Sequence, residues 1–412
     1  MRSLLILLLI TLCGCQTALQ PRQDGRIGTG SLVLLVSIDG TRVDYLDRGL
    51  TPNLQRLIDE GVRARWMTPS YPSLTFPNHY TLVTGLRPDH HGIVQNTMFD
   101  PELGTFALAD RDAVTESRWW EGLPIWVSAE RAGIDTAVLF WPGSEAAING
   151  VRPGYWQPYD DKLSYADRVD TIVAWLAGQS AEADPVALAT LYFERVDKMG
   201  HEHGPESTEV RAAMAEADEA IGRLLQGLSD AKLLDRVNII VVADHGMAEV
   251  APNQFVHVDQ MVDPDDAQWV SLGQSAGFQP RRGRAAAAAR QLLGRHEHYE
   301  CWRKADLPAR WHYGSHRRVP PIVCQMDEGW DALAGRAAEW RAQFTGTRGS
   351  HGFDPALPSM QTIFAARGPA FRSGAELPPI ESVDVYTLLA HLLGLRPAPN
   401  DGNAEALLPA LR

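Results

Sequence analysis

Three aspartates and three histidines have the types and the placement to hold metal. Asp39 closes the apolar run "SLVLLVSIDG", Asp197 ends "VALATLYFERVD", and Asp244-His245 closes "VNIIVVADHG". Apolar runs of this kind read as buried parallel strands. Open α/β sheets bind ligands outside the carboxyl ends of their strands. Three strand ends that each carry Asp would gather repelling charges unless cations neutralised them. In "DKMGH", Asp197 and His201 are spaced i, i+4, so one helical turn aims both at one ion. Adjacent Asp244 and His245 splay apart, yet reach one ion if the backbone turns. In "RGSHGFDP", glycines beside His351 let the backbone approach closely. Mixed Asp/His donors suit zinc, and this many suit two ions. Paired metals recur in phosphoryl chemistry. The stretch "SYPSLTFPNHYTLVTG" (70–85) adds two serines and three threonines. Any of these hydroxyls is a candidate nucleophile, and all of them are candidates for loop filler.

Such residues need a scaffold. The chain has 412 residues, 45% hydrophobic and 22% charged, enough for one large α/β domain or two medium ones. Its formal net charge of −13 argues against a nucleic-acid polymer as partner. The basic stretch "RRGRAAAAARQLLGR" (281–295) reads as a solvated helix. "DTAVLFWPG", which ends near Trp141, and "MQTIFAARG" repeat the apolar-run pattern. Helical segments fall between these runs. Residues 51–60 open with Thr-Pro, a cap and first-turn pair. Residues 207–228 place Val210, Met214, Ala217, Ile221 and Leu224 at helical spacing. This alternation predicts an α/β fold, a doubly wound, mostly parallel sheet flanked by helices. Residues 31–412 read as one catalytic domain. About 252–344 breaks the rhythm with Arg, His, Trp and Pro, and reads as an inserted subdomain that decorates the site.

The N-terminus reads differently. "LLILLLITL" is too short to span a bilayer and follows a basic start, as in a signal peptide over 1–15. It ends in "LCGC", which resembles a bacterial lipobox with Cys15 as the lipid-modified residue. Residues 16–30 then form a polar tether. An exported protein is expected, periplasmic or held at the membrane through Cys15. With Cys13 removed and Cys15 as anchor, Cys301 and Cys324 remain, a pair that suggests one disulfide in an oxidising compartment.

"SIDGTRVDYL", "YPSLTFPNHYTLVTGLRPDHHGIVQN", "WPGS", "VDKMGHEHGP", "VVADHGM" and "SHGFDP" occur in this order. With them the chain resembles the nucleotide pyrophosphatase/phosphodiesterases of the alkaline phosphatase superfamily. The resemblance covers nearly all of 31–412, weakly across the insertion. It implies an alkaline-phosphatase-like fold and two zinc ions per chain. One ion would be held by Asp39, Thr75, Asp244 and His245, the other by Asp197, His201 and His351. It implies Thr75 as the nucleophile and Asn96 as the amide that stabilises the transition state. Phe76 and Tyr159 match the aromatic residues that sandwich a nucleobase, and Trp141 lies beside that pocket. The substrate would be a small nucleotide, cleaved through a phosphothreonine to a nucleoside 5′-monophosphate.

Elementary chemistry agrees. Metal favours the alkoxide of a threonine, a weak nucleophile alone. Pro77 reads as the first or second helical residue, which puts Thr75 at a helix N-terminus that favours an anion. Ser70 and Ser73 read as loop residues, Thr81 and Thr84 as capping or packing groups, and His79 as structural. His91 reads as a turn residue or as a support behind the metal, and His203 as exposed. The sulfatase motif Cys/Ser-x-Pro-x-Arg is absent. Phosphomonoesterases commonly grip a dianion with arginine, and none follows Thr75 before Arg87. The alternative is a phospholipid or glycerophosphocholine-type phosphodiesterase, with Phe76 and Tyr159 lining a choline pocket.

Overall fold

The computed structural model describes residues 32–179 and 186–412. The signal-peptide, tether and Cys15 expectations lie outside the described residues. Residues 31–412 form one compact unit.

Eight strands make the central sheet: β1 (Leu32–Ile38), β2 (Val62–Ala64), β3 (Thr136–Leu139), β4 (Tyr155–Gln157), β5 (Leu188–Phe193), β6 (Val237–Val242), β7 (Phe364–Arg367) and β8 (Ala375–Leu377). Their spatial order is β8-β2-β7-β6-β1-β5-β3-β4. β1 pairs in parallel with both β5 and β6, aligning Leu35 with Thr190 and Ile240. This brings Asp39, Asp197 and Asp244 to the same end of three neighbouring strands. Six residues of β1 are buried because helices cover both faces. Val33 and Leu35 pack toward Tyr80, Leu82 and Leu389. Leu34, Val36 and Ile38 pack toward Leu54, Ile172, Ile221 and Leu224 on the other face. The doubly wound, mostly parallel expectation holds.

β7 is a correction. "MQTIFAARG" was expected to repeat the parallel strands, but Phe364–Arg367 runs antiparallel to both β6 and β2. The reason is chain order. The segment before it carries His351, so it enters the sheet from the site side, with Phe364 beside Val242 at the end of β6.

Three helices position the chemistry: α1 (Thr75–Thr84), α2 (Arg195–His203) and α3 (Thr208–Asp230). α1 begins at Thr75 itself, with Leu74 as its extended cap, so Pro77 is the third helical residue rather than the first or second. Proline lacks an N–H that no residue of the first turn needs, so its position does not define the start. Buried Asn78 secures the preceding loop. Its amide donates to the carbonyls of Ser70, Pro72 and Leu74, and its oxygen accepts the Ser70 N–H.

The insertion folds as a five-stranded antiparallel sheet with a small core around Phe278, Leu292 and Ile322. Cys301 and Cys324 are cross-strand neighbours joined by a disulfide. The basic stretch forms a half-exposed helix over Ala285–Leu292 that buries Ala288 and Leu292, with the flanking Arg284 and Arg295 paired to Asp266 and Asp327. The insertion does not decorate the site directly, since no described residue of 252–344 lines the cleft below. It braces the segment that carries Asn96. Buried Arg318 donates to Asp100 and to the carbonyls of Gly92, Trp119 and Arg118. Asp89 accepts the backbone N–H groups of Gly314, Ser315 and His316.

Candidate active site

The strand ends and the starts of α1 and α2 converge on two clusters of potential ligands. Asp39, Asp244 and His245 form one, and Asp197, His201 and His351 form the other. These are the two groups that the resemblance implies. Gly40 and Gly349 allow the convergence. Gly40 has φ 69°, and a Cβ there would lie 2.8 Å from the Asp197 Cα. A Cβ on Gly349 would lie 2.5 Å from the Gly200 carbonyl oxygen, so a side chain would push the His351 strand off α2.

Each histidine is oriented from behind. Nδ1–H donates to a backbone carbonyl in all three: His201 to Gly349 (3.0 Å), His245 to Gly246 (2.9 Å) and His351 to Ser73 (2.9 Å). This leaves Nε2 as the lone-pair nitrogen facing inward. The Nε2 atoms of His201 and His351 stand 3.0 Å apart, lone pair toward lone pair. The carboxylates are equally exposed to one another's charge. Oδ1 of Asp39, Oδ1 of Asp197 and Oδ2 of Asp244 are buried and accept no hydrogen bond. Unpartnered oxygens and facing nitrogens in one small volume are the donor set a divalent cation requires.

The electrostatics carry the same strain. Burial, then the negative charges of Asp244 and Asp197, push the Asp39 carboxyl well above its ordinary range. Burial also works to raise Asp244, but His245 and His79 outweigh it and hold Asp244 well below that range. Burial drives the His351 ring well below the ordinary imidazole value, aided by His245 and His201. A cation would relieve each of these conflicts.

Of the Ser and Thr hydroxyls in 70–85, that of Thr75 reaches this centre, with Oγ1 3.2 Å from the His245 Nε2. The Asn96 Oδ1 accepts the Phe76 N–H at 3.0 Å, which turns the Asn96 amide donors away from the helix. The anion-binding character expected of the helix start is therefore narrower. Pro77 has no N–H, the Asn78 N–H closes onto Leu74, and Asn96 takes that of Phe76, leaving the Thr75 N–H.

Thr75, Asn96, Asp39 and the Asp197–His201–His351 cluster line a cleft of about 260 Å³, with Asp244 and His245 buried behind them; Phe76, Phe140, Trp141 and Tyr159 complete its walls. Trp120 and Phe106 back the Phe76 ring. Tyr159, 39% exposed, stands edge-on to Phe140. Phe140 holds a left-handed backbone (φ 64°), a costly conformation for an aromatic residue that clusters at functional sites. Trp141 is buried. Its indole donates to the His79 carbonyl, so it braces α1 from the cleft wall.

Other expectations sort by position. Ser73 donates to the Phe353 carbonyl, Thr84 to the Tyr80 carbonyl, and Ser70 is buried beside Ser382. His91 contacts Thr81 and the Pro77 carbonyl, supporting α1 rather than the metal ligands. His203 is exposed and outside both clusters.

Two cleft residues escaped the sequence reading. The Tyr192 hydroxyl donates to Asp39 Oδ2 at 2.5 Å, leaving Oδ1 as the oxygen facing His245. Tyr192 lies in the apolar body of β5, where a hydroxyl gives no sequence signal. Arg111 also lines the cleft, although no arginine was expected near Thr75, and its guanidinium pairs with Glu145. Only the fold brings residue 111 to residue 75.

Comparison with known proteins agrees with this geometry. The family model for type I phosphodiesterase/nucleotide pyrophosphatase matches residues 33–354. Human ectonucleotide pyrophosphatase/phosphodiesterase family member 5 is 36% identical over 372 residues, 90% of this chain and 76% of that protein. A bis(5′-adenosyl)-triphosphatase of Bos taurus is 34% identical over 400 residues, 96% of this chain and 85% of that one. The solved murine ectonucleotide pyrophosphatase/phosphodiesterase 5, an inactive threonine-to-alanine variant in complex with AMP, superposes with a TM-score of 0.86 at 36% identity. That match covers 93% of this chain and 100% of the murine one. The chain is an enzyme of the type I phosphodiesterase/nucleotide pyrophosphatase family.

Proposed function

We propose that this enzyme hydrolyses nucleotide phosphodiester and pyrophosphate bonds through a phosphothreonine at Thr75. The observation that carries the reading is the meeting of the Thr75 hydroxyl with two metal-ligand clusters at the mouth of an aromatic cleft. The murine AMP complex and the adenosyl-triphosphatase relative support a nucleotide as substrate.

The donor chemistry suits two zinc ions, one at Asp39, Thr75, Asp244 and His245 and one at Asp197, His201 and His351. Bound there, they would supply positive charge to the hydroxyl and to the phosphate oxygens. Phe76 and Tyr159 line the cleft without touching each other's rings among the described residues, and they hold the base between them. Asn96 donates its amide to a non-bridging phosphate oxygen. Thr75 Oγ1 loses its proton to solvent and forms its bond to phosphorus as the bond to the leaving group breaks in line, and the departing oxygen takes up a proton. Water then cleaves the phosphothreonine, freeing the nucleoside 5′-monophosphate and restoring the hydroxyl.

The cleft opens to solvent past Tyr159 and Leu108, which admits a substrate from that side. Arg111 is engaged by Glu145, which leaves it poorly placed to grip a phosphomonoester dianion. The apolar N-terminal run, the lipobox-like end at Cys15 and the Cys301–Cys324 disulfide support export to an oxidising compartment, with Cys15 as a lipid anchor.

A three-substrate assay tests the reading, comparing a nucleotide aryl diester, an aryl monophosphate and a choline-phosphate ester. The nucleotide diester is expected to be preferred. Preference for the monoester refutes a diesterase, and preference for the choline ester replaces the nucleotide by a lipid head group.

A further inference from the structure

We propose that His79 is a positioning residue that couples the nucleophile to the metal centre. The inference rests on the metal-dependent reading of Thr75 and Asp244 above. His79 lies in the second turn of α1 and is wholly buried. Its Nδ1 is 2.9 Å from the Thr75 carbonyl oxygen and 3.2 Å from Asp244 Oδ2. Both neighbours are acceptors, so Nδ1 carries the hydrogen. On the opposite edge, Nε2 lies 2.8 Å from the Ser37 Oγ, two residues before Asp39 on β1. A serine hydroxyl both donates and accepts, so Ser37 donates to Nε2 and holds the ring in the tautomer that places N–H toward Thr75 and Asp244.

The ring has little freedom to do otherwise. Trp141 and Tyr192 each pack edge-on against it with centroids 5.1 Å away. Trp141 also donates its indole N–H to the His79 carbonyl, and Tyr192 is the residue that holds Asp39. One imidazole thus touches the backbone of the nucleophile, a metal-ligand carboxylate, the strand that delivers Asp39, and the residue that orients Asp39. It reaches none of the ligand positions, since neither cluster includes it. Its N–H faces Asp244 Oδ2 without forming a hydrogen bond to it, so that oxygen is steadied while remaining available to an ion. The start of α1 and the end of β6 share no covalent neighbourhood. The contact through His79 sets the distance between Thr75 and the Asp244 side of the centre.

The test uses full-length protein in three variants. His79→Leu keeps the volume and removes both polar edges. His79→Asn keeps a donor where Nδ1 stands. Ser37→Ala leaves the imidazole in place and releases its tautomer. Zinc release to a colorimetric chelator, kcat and KM on a nucleotide aryl diester, and the thermal midpoint are measured for each. His79→Leu is expected to release zinc roughly 10–100-fold faster, in keeping with the loss of a group that supports a metal ligand. Its kcat falls by a similar factor while KM stays within a few-fold of wild type. His79→Asn recovers most of both losses, and Ser37→Ala shows a smaller loss in the same direction.

Wild-type zinc retention and kcat in a folded His79→Leu protein would overturn the inference. So would a His79→Asn protein that folds yet is no better than His79→Leu. If His79→Leu does not fold, Ser37→Ala decides: unchanged zinc release and kcat there reject the coupling. A wild-type protein that binds no divalent metal or cleaves no diester refutes the proposed function instead, and that outcome is read before any variant is made.

Discussion

The Thr75 hydroxyl lies 3.2 Å from the His245 Nε2 across a sequence separation of 170 residues. That contact joins the first residue of a helix to the loop that follows a central strand, and it is where attack on phosphorus would begin. Replacing Thr75 by Ala is expected to leave the fold intact, with metal still held by Asp39, Asp244 and His245, and to lower kcat by at least roughly 10³-fold. Turnover within tenfold of wild type, with metal bound, would place the nucleophile elsewhere.

Asn96 separates into two roles. Its oxygen accepts the Phe76 N–H, and its amide is left to face the cleft. Asn96→Asp keeps the acceptor and removes the donor, so its kcat is expected to fall roughly 10²–10³-fold with little change in thermal midpoint. Asn96→Ala loses both roles and should add a small stability loss, which thermal unfolding would register.

Aromatic stacking makes a selective prediction. Phe76→Ala or Tyr159→Ala removes one wall of the proposed base site, and stacking on a base is worth about 1–3 kcal/mol. KM for a nucleotide diester is expected to rise roughly tenfold or more, while a simple aryl diester without a base is almost unaffected. Equal losses on both substrates would remove the nucleobase from the cleft.

Metal should be essential and tunable. Prolonged dialysis against a chelator is expected to abolish diester cleavage, and added zinc to restore it. Tyr192→Phe frees the Asp39 Oδ2 and should weaken metal retention roughly 10–100-fold. A Tyr192→Phe protein whose zinc affinity equals wild type would show that the hydroxyl does not orient the ligand.

His91 gives the fold a pH dependence of known sign. Burial holds its ring near pKa 3, below the ordinary 6.5, and the ring contacts the Pro77 carbonyl and the Ile93 N–H in its neutral form. The unfolded chain therefore binds the extra proton between these values. The stability contribution is complete above pH 6.5 and is lost as pH falls toward 3, by about 2 kcal/mol at pH 5. His91→Gln lacks this titration, so its denaturation midpoint should vary less between pH 7 and pH 5. A parallel slope in both proteins would contradict the assignment.

How much of this was legible beforehand depends on the reach of each signal. The apolar runs ending in Asp39 and Asp244-His245 state the strands and the end that carries chemistry, because a parallel strand buried on both faces admits little but apolar residues. The spacing of Asp197 and His201 states a shared helical face, because the helical period is local. The motif order was sufficient to name the family. β7 was misread because a short apolar run carries no direction, and its antiparallel course follows from where the His351 loop leaves the chain. Pro77 misplaced the helix start by one or two residues, because proline is tolerated throughout the first turn.

By itself, then, the sequence determined the ligand types, the hydroxyl-bearing helix and the layered α/β scaffold, each written in a local pattern. Tertiary structure alone decided that Tyr192 holds Asp39, that Arg111 is engaged by Glu145, and that Asn96 caps α1 while facing the cleft. It also decided that the insertion braces the Asn96 segment through Arg318 instead of lining the site, and that His79 bridges Thr75 to Asp244. The physical reason is common to all of them. A hydrogen bond or an ion pair depends on a few ångströms between side chains, and residues far apart in sequence reach that distance only through the packing of whole strands and helices.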